Sequence, residues 1–255
     1  MRTAMEGKMD YDITVEDLQV SYVGNTVLED VHFSYGAGRL IGVLGPNGAG
    51  KSTMLKAMLG LIPKDSGRIT IAGQPVDKVR KEIAYIPQRS NIDWDFPIVV
   101  KDAVLMGTFP KMGLFRRPKA SDRERAMECL EKVGMEAFAD RQIGGLSGGQ
   151  QQRVFMARAL AQDAEVFFLD EPFVGIDVSS EEIIINMLKD LRDQAKIVFV
   201  VHHDLSKVSD YFSHVLLLNK ALVASGPVAE VFNTENLSTA YQHPMAVNYG
   251  MEGPA

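Results

Sequence analysis

The chain has 255 residues, 46% of them hydrophobic, which is enough to bury one large domain or two closely joined lobes. Its formal net charge of −6 argues against a broad nucleic-acid footprint, and no apolar run approaches the roughly twenty residues that a membrane-spanning helix needs. Cys129 is the only cysteine, so no intrachain disulfide can form and the reducing cytosol is the expected compartment.

The N-terminal part of the chain predicts an antiparallel β-lobe. Residues 1–10 contain no apolar region of the kind that a secretory signal requires. Residues 13–22 then alternate between apolar and polar types, and the apolar positions within 27–33 predict a partner strand after a turn at Gly24-Asn25.

A glycine-rich segment follows the apolar run at residues 40–44 and fits the phosphate-binding pattern G-x-x-x-x-G-K-[ST]. Its residues are Gly45, Pro46, Asn47, Gly48, Ala49, Gly50, Lys51, Ser52 and Thr53. Backbone N–H groups in such a loop, together with the start of a helix predicted from residue 53 to 59, can surround phosphate oxygens. In this pattern Lys51 reaches the β- and γ-phosphates, and the Ser52 hydroxyl binds Mg²⁺. The plainer alternative is a glycine-rich turn that only joins a strand to a helix.

Four short apolar runs are typical of strands buried on both faces of a parallel sheet. They cover residues 40–44, 83–86, 166–169 and 197–201. The polar segments that follow them are the glycine-rich loop, Gln88, the pair Asp170-Glu171 and the run His202-His203-Asp204. Because ligands of open α/β sheets bind beyond the carboxyl ends of the strands, we expect these segments to converge on one nucleotide.

The region between residues 88 and 146 shows no further strand pattern and predicts a helical insertion. One helix is predicted to open at Ser121 in capping-box form and to close at Gly134, with Cys129 on its apolar face. A second helix is predicted over residues 151–162, with Ser147 placed to cap its start.

The acidic pair at the end of the third apolar run supplies the chemistry of hydrolysis. We assign Asp170 to Mg²⁺, through water, and Glu171 as the general base or water-positioning residue that faces the γ-phosphate. Hydrolysis of a phosphoanhydride depends mainly on an in-line water and on stabilising spread negative charge, and these groups supply both. Taken alone, the pair could equally be two solvated acids at a strand end.

These motifs, together with LSGGQ at residues 146–150, make the chain resemble the ATP-binding subunit of an ABC transporter from about residue 13 to residue 241. The resemblance implies an α/β P-loop NTPase fold with a mainly parallel core sheet, an N-terminal antiparallel β-lobe and a helical subdomain at roughly residues 90–165. It implies a single ATPase domain over residues 1–241 and a C-terminal tail over residues 242–255.

The resemblance also implies roles for single residues. Tyr22 would stack on adenine, Gln88 would touch Mg²⁺ and sense the transport subunit, and His203 would be the γ-phosphate switch. From the residues alone, Tyr22 is more simply a strand aromatic and Gln88 an ordinary loop residue. Choosing His203 over His202 rests on the family pattern of a histidine directly before an aspartate.

In the same family the LSGGQ signature completes the nucleotide site of a second copy, which implies a head-to-tail homodimer closed by two ATP molecules. The signature residues that would bind there are Ser147, Gly148, Gly149 and Gln150. Asp177 matches the aspartate of the dimer-contact loop, although the residues before it depart from the common Ser-Ala-Leu form.

Residues 87–97 and 113–117 are similar to those of importers of manganese, zinc or iron, which work with an extracytoplasmic metal-binding protein. Trp94 would lie near the groove that receives the coupling helix of a multi-span permease, and plain packing under its loop is the alternative. Closely related ATPases serve iron-siderophore, haem and cobalamin importers. The resemblance places the chain at the cytoplasmic face of the cell membrane, with no nucleic acid as a partner.

Two other classes of protein share some of these motifs. A soluble ABC-type ATPase of DNA repair, chromosome organisation or translation would carry the same signature, but the spacing from Lys51 to Leu146 leaves no room for a long coiled coil. A GTPase-like switch or a small-molecule kinase would use the phosphate loop alone. The GTPase patterns N-K-x-D and D-x-x-G are absent from the sequence.

Overall fold

The computed structural model describes residues 11–112 and 117–244, and each segment predicted as a strand forms one. Residues 66–71, 74–75, 214–219 and 221–227 form further strands that were not predicted. In chain order the strands are β1 (Asp12–Tyr22), β2 (Asn25–Gly36), β3 (Arg39–Leu44), β4 (Ser66–Ile71), β5 (Gln74–Pro75), β6 (Ile83–Ile86), β7 (Val166–Asp170), β8 (Ile197–Val201), β9 (His214–Asn219) and β10 (Ala221–Pro227).

Helices lie between and after these strands along the chain, and the helical insertion follows β6 and precedes β7 in the sequence. They are α1 (Lys51–Met58), α2 (Val76–Val79), α3 (Val100–Leu105), α4 (Ala120–Lys132), α5 (Gly148–Ala161), α6 (Val178–Asp193), α7 (Val208–Tyr211), α8 (Val228–Val231) and α9 (Thr234–Tyr241). Short 3₁₀ turns occupy Arg80–Glu82, Arg89–Asn91, Met106–Lys111, Glu136–Phe138, Ile143–Gly145 and Leu205–Lys207. In the described part of the chain, no helix combines the length and the apolar character needed to cross a bilayer.

The strands form two sheets of different kinds. The smaller sheet has the order β2-β1-β4-β5, and its pairs are antiparallel. The larger sheet has the order β10-β9-β3-β8-β7-β6 and is parallel from β9 to β6, with β10 antiparallel at one edge. This confirms the mainly parallel core sheet and the N-terminal antiparallel lobe.

Strand β8 shows how the core sheet is buried on both faces. Its side chains alternate, so that Val198 and Val200 join the apolar cluster on the helical side. Phe199 joins the cluster shared with the β-lobe and α1, and its ring stacks on Phe168 with centroids 5.3 Å apart. Each fully buried side chain of this size contributes about 1.5–3 kcal/mol relative to an exposed one. The strands therefore form a rigid base for the loops at their carboxyl ends.

The helical insertion between β6 and β7 is confirmed, and Cys129 is buried inside it as core packing. The predicted cap at Ser121 is wrong. Helix α4 begins one residue earlier, and the Asp122 carboxylate accepts a hydrogen bond from the backbone N–H of Lys119 at 2.7 Å. The Asp122 side chain therefore caps the start of α4 by accepting from the backbone of the residue before the helix.

Two predictions lie wholly or partly outside the described residues. The stretch at 113–117 that resembles metal-ion importers is described only at Arg117. The predicted C-terminal tail is described only to residue 244.

Candidate functional site

The glycine-rich loop joins β3 to α1 and needs glycine at its first position. Gly45 has φ 152°, and a Cβ atom there would lie 2.0 Å from the carbonyl oxygen of Leu218. Helix α1 begins at Lys51, two residues before the predicted start at residue 53, so Lys51 and Ser52 stand in its first turn. The loop and the helix start are therefore held in one fixed arrangement.

Lys51 is buried over this loop, with 7% of its surface exposed. Its Nζ donates hydrogen bonds to the carbonyl oxygens of Gly45 at 2.8 Å and Pro46 at 2.9 Å. Burial lowers the pKa of Lys51, while the nearby carboxylates of Glu171 and Asp170 oppose that change. Because carbonyls are weaker partners than phosphates for an ammonium group, this lysine is placed to transfer its hydrogen bonds to an incoming phosphate.

Ser52 and Asp170 meet at the end of β7. The Ser52 hydroxyl donates a hydrogen bond to Asp170 Oδ1 at 2.8 Å, and Asp170 is only 2% exposed. Burial raises the pKa of Asp170, and the hydrogen bond from Ser52 opposes that rise. A hydroxyl and a carboxylate side by side form an oxygen donor set that fits Mg²⁺, which keeps several of its own waters in protein sites.

Glu171 follows Asp170 in an uncommon backbone conformation. Its φ is 54°, in the left-handed region, which costs a residue other than glycine about 1 kcal/mol. The carboxylate Oε2 accepts a hydrogen bond from Gln88 Nε2 at 2.7 Å. Because β6 and β7 are paired in parallel, the loops at their ends lie side by side. The two predicted residues thus lie in direct contact.

The two adjacent histidines after β8 have opposite environments. His202 is 2% exposed and its ring packs against those of Phe173 and Phe212. Burial lowers the pKa of His202 to about 4, so its imidazole is neutral at physiological pH. His203 is exposed at the same strand end. The accessible imidazole is therefore that of His203, the predicted phosphate switch.

The signature segment begins helix α5, and its predicted cap is confirmed. Ser147 Oγ accepts a hydrogen bond from the backbone N–H of Gln150 at 3.3 Å, and Gln150 Oε1 accepts one from the Ser147 N–H at 2.9 Å. Ser147 is exposed, whereas Gly149 is buried. This reciprocal pair satisfies two helix-start donors without any residue from another element.

Asp177 lies against the signature helix of its own chain. It caps α6 by accepting a hydrogen bond from the backbone N–H of Ser180 at 2.9 Å, and that contact lowers its pKa. A Cβ atom on Gly149 would lie 2.4 Å from Asp177 Oδ2. The closeness of these two segments explains why the helix carries glycine at this position.

Tyr22 ends β1 at an exposed hairpin, where it pairs with Asn25 and is 44% exposed. Further along β2, the carbonyl oxygen of Val27 lies 2.9 Å from the position of a Cβ atom on Gly50. The hairpin end therefore lies beside the glycine-rich loop, and an exposed aromatic ring stands in that neighbourhood.

Arg89 and Gln151 lie next to the site, and no sequence pattern predicts a role for either. Arg89, next to Gln88, donates a hydrogen bond from Nη2 to Gln151 Oε1 at 2.8 Å. Its carbonyl oxygen accepts a hydrogen bond from Trp94 Nε1 at 3.0 Å, and its guanidinium carbon lies 5.5 Å from the centroid of the Trp94 ring. A lone arginine after a loop glutamine shows no pattern that could have predicted these contacts.

Trp94 lines an apolar groove of about 210 Å³ on the helical subdomain. The lining is apolar at Ile92, Trp94, Phe96, Ile98, Ala103, Met106, Ile143 and Phe155, and Asp93 and Arg158 are its charged members. The Trp94 ring meets that of Phe155 edge-on with centroids 5.1 Å apart, while Phe96 is 57% exposed. Trp94 thus packs against the helical subdomain, as one of the two predictions has it, and also forms one wall of this groove.

Known proteins resemble this chain over nearly its whole length. Residues 28–174 match the sequence profile of the family described as ABC transporter. The chain is 54% identical over 234 residues to the manganese transport system ATP-binding protein MntB of Halalkalibacterium halodurans, covering 92% of this chain and 93% of that protein. It is 50% identical over 231 residues to the zinc transport system ATP-binding protein TroB of Treponema pallidum, covering 91% and 87%.

Solved structures agree with these sequence matches. A transporter described as of the metal-chelate type, in an inward-facing conformation, superposes with a TM-score of 0.81 at 30% identity, covering 92% of this chain and 91% of the other. An ATP-binding cassette in its ADP conformation superposes with a TM-score of 0.79 at 22% identity and shares the fold.

Proposed function

The chain belongs to the ABC transporter family of ATP-binding proteins, and from this premise we propose that it hydrolyses ATP to power a membrane importer of a divalent metal ion: manganese, zinc or iron. The observation that carries the choice of cargo is the identity of 54% and 50% to ATP-binding proteins of a manganese and a zinc transport system. An iron-siderophore, haem or cobalamin cargo is the alternative that the experiment below separates.

Hydrolysis follows from the groups at the strand ends. The phosphates of ATP would bind at the glycine-rich loop, where Lys51 exchanges its two carbonyl partners for β- and γ-phosphate oxygens. Glu171 would take a proton from the attacking water. Gln88, which already donates a hydrogen bond to Glu171, would hold that carboxylate in place. His203 would donate a hydrogen bond to the γ-phosphate.

Ser52 and Asp170 are the residues that would hold Mg²⁺, which when bound neutralises charge on the β- and γ-phosphates. Burial of Asp170 favours this role, because a buried carboxylate gains more from a nearby cation than an exposed one does. The hydroxyl of Ser52 can turn from Asp170 to a metal ion by rotation about a single bond.

A second copy of the chain would complete each nucleotide site. Ser147 is exposed at the start of α5, where its hydroxyl and the helix N-terminus can face the γ-phosphate of another molecule. Gly148, Gly149 and Gln150 would follow it into that contact, and Asp177 would lie at the same boundary. The working unit proposed here is a head-to-tail dimer with two ATP molecules.

The groove beside Trp94 is the surface proposed for a multi-span permease. It is apolar, and the exposed ring of Phe96 at its rim suits a partner helix with apolar side chains. Docking there would hold the chain at the cytoplasmic face of the cell membrane, while an extracytoplasmic metal-binding protein would deliver the cargo to the permease.

The test is to purify the tagged chain from gently solubilised membranes of its source and to identify its partners by mass spectrometry. We expect a stoichiometric multi-span protein, together with manganese or zinc uptake in cells that stops when Glu171→Gln replaces the original chain. Recovery only with ribosomes, DNA or soluble factors would contradict the transporter role. Uptake of a haem, cobalamin or siderophore compound in place of a free metal ion would contradict the cargo.

A further inference from the structure

Arg89 joins two regions of the molecule that the proposed mechanism treats separately. Its backbone belongs to the loop after β6, next to Gln88, which binds Glu171 at 2.7 Å. Its side chain points the other way, to Gln151 on the signature helix α5, at 2.8 Å. The loop therefore contacts the end of β7 through Gln88 and the signature helix through Arg89.

The contact with α5 is close and half-buried, with the buried side on Gln151. Gln151 is 3% exposed, and its Nε2 donates a second hydrogen bond to the carbonyl oxygen of Ile143 at 3.2 Å. A Cβ atom on Gly148 would lie 3.3 Å from the guanidinium carbon of Arg89, so the guanidinium lies against the first turn of the helix. A charge-assisted hydrogen bond is stronger than a neutral one, so this contact ties the position of the guanidinium to the first turn of the helix.

Arg89 also contacts Trp94, which lines the groove. The Trp94 indole donates to the Arg89 carbonyl oxygen at 3.0 Å, and its ring lies against the guanidinium. Trp94 thus contacts both the backbone and the side chain of Arg89.

We propose that Arg89 is a positioning residue that sets the placement of the signature segment and acts through it on the ATP held by the second copy. This inference rests on the two-copy arrangement of the proposed function. Gln88 acts on the ATP of its own copy through Glu171, whereas Arg89 acts on the ATP of the other copy through Ser147 and Gly148. Neighbouring residues on one loop thus influence two different nucleotides.

Mixing two defective chains tests this separation of roles. One chain carries Lys51→Ala, so that it contributes a signature but binds ATP poorly. The other carries Ser147→Asp, which keeps a good helix cap but places a negative charge where the γ-phosphate of the partner would lie. In the mixture, the one intact nucleotide site combines the loop of the second chain with the signature of the first.

We expect Arg89→Ala to lower the ATPase rate of this mixture about tenfold or more when it is placed in the Lys51→Ala chain, because a charge-assisted hydrogen bond to the buried Gln151 is lost at the working signature. The same substitution in the Ser147→Asp chain leaves the rate of the mixture unchanged. Gln88→Ala lowers the rate of the mixture when it is placed in the Ser147→Asp chain and leaves the rate unchanged when it is placed in the Lys51→Ala chain. Arg89→Lys restores part of the rate, since lysine keeps the charge but not the planar group.

Arg141→Ala is the matched control, because this exposed arginine stacks on Phe138 in the same subdomain and makes no hydrogen bond or ion pair with α5 among the described residues. It leaves the rate unchanged in either chain. An equal loss from Arg89→Ala in both placements, or a loss confined to the Ser147→Asp chain, overturns the inference and leaves the proposed function intact. A parental mixture with no activity above its separate chains overturns the two-copy site and the inference together.

Discussion

The phosphate-binding edge of the core sheet and the signature start of α5 differ in how their polar groups are satisfied. At the sheet edge, Asp170 pairs with Ser52 and Glu171 with Gln88 across separate segments, while Lys51 pairs with carbonyls of its own loop. At the signature, Ser147 and Gln150 pair across a single helical turn, and Ser147 is exposed. The first region is already assembled within one chain, whereas the second presents its hydroxyl and helix end outward.

The largest effect is expected from Glu171→Gln, which leaves the sheet edge assembled but removes its base. We predict that the ATPase rate falls about 1000-fold while ATP affinity is kept, because general bases contribute in that range. The two regions should then remain together in an ATP-bound dimer, measured by light scattering with ATP and Mg²⁺. Glu182→Gln, an exposed change on α6, is the control. A monomer at saturating ATP would contradict the dimer.

His203→Ala tests which histidine belongs to the sheet edge. We predict a loss of about 100-fold in ATPase rate with intact ATP binding, since a donor to the developing phosphate charge is removed. The rate is measured by phosphate release and the binding by calorimetry. If His202→Ala produces this selective loss and His203→Ala does not, the assignment of the switch is wrong.

Lys51→Ala disrupts the sheet edge alone. We predict that the dissociation constant for ATP rises about 30-fold, because the charge-assisted hydrogen bonds to the phosphates are lost. Titration calorimetry measures this, with the exposed Lys64→Ala as the control. A near-normal dissociation constant would remove Lys51 from its role.

The buried His202 makes stability depend on pH at the same edge. Its pKa is about 4 in the folded protein and about 6.5 in the unfolded chain, so below pH 6.5 the unfolded state takes up the proton first. The free energy of unfolding therefore falls as the pH drops from 6.5 towards 4. Between pH 7.5 and pH 5 we expect this residue to account for about 2 kcal/mol.

The measurement compares urea unfolding of the original chain with that of His202→Phe, which keeps an aromatic ring against Phe173 but cannot titrate. The free energy of unfolding of the original chain minus that of the variant should rise by about 2 kcal/mol from pH 5 to pH 7.5 and stay constant above that pH. If the free energies of unfolding of the two proteins change equally with pH, His202 is not the cause of the loss of stability at low pH.

Ser147→Ala perturbs the signature region with the smallest effect. Loss of the cap should cost about 1 kcal/mol in the free energy of unfolding, and the ATP affinity of the monomer should stay the same. Ser147→Asp restores the cap and serves as the control for stability. A fall in monomer ATP affinity with Ser147→Ala would show that the two regions are not independent within one chain.

The sheet edge was largely predictable from sequence and the contacts between its loops were not. Short apolar runs rich in β-branched residues, such as β8, predict strands buried on both faces, because a buried helix is usually longer. The cap at Ser147 was predictable because cap and helix are adjacent in the chain. The cap of α4 was misplaced, since Ser121 and Asp122 both suit a helix start and only the observed backbone distinguishes them.

Tertiary contacts account for the rest. The hydrogen bond between Arg89 and Gln151 joins residues 62 positions apart and leaves no local periodicity. Alternation along β8 predicts that His202 and His203 face opposite ways, but which of them faces inward depends on the rings of Phe173 and Phe212. The left-handed backbone of Glu171 is likewise set by the fold around it rather than by a preference of glutamate.

Trp94 is the only tryptophan in the chain, and it lies where the groove wall meets Arg89. All indole fluorescence of this protein therefore originates from one site, with a cation on one side and the edge of Phe155 on another. Emission wavelength and quenching report directly on the loop that carries Gln88, with no added dye and no engineered label. The native chain thus contains an optical reporter between its proposed membrane-facing groove and its hydrolytic site, readable in real time during turnover.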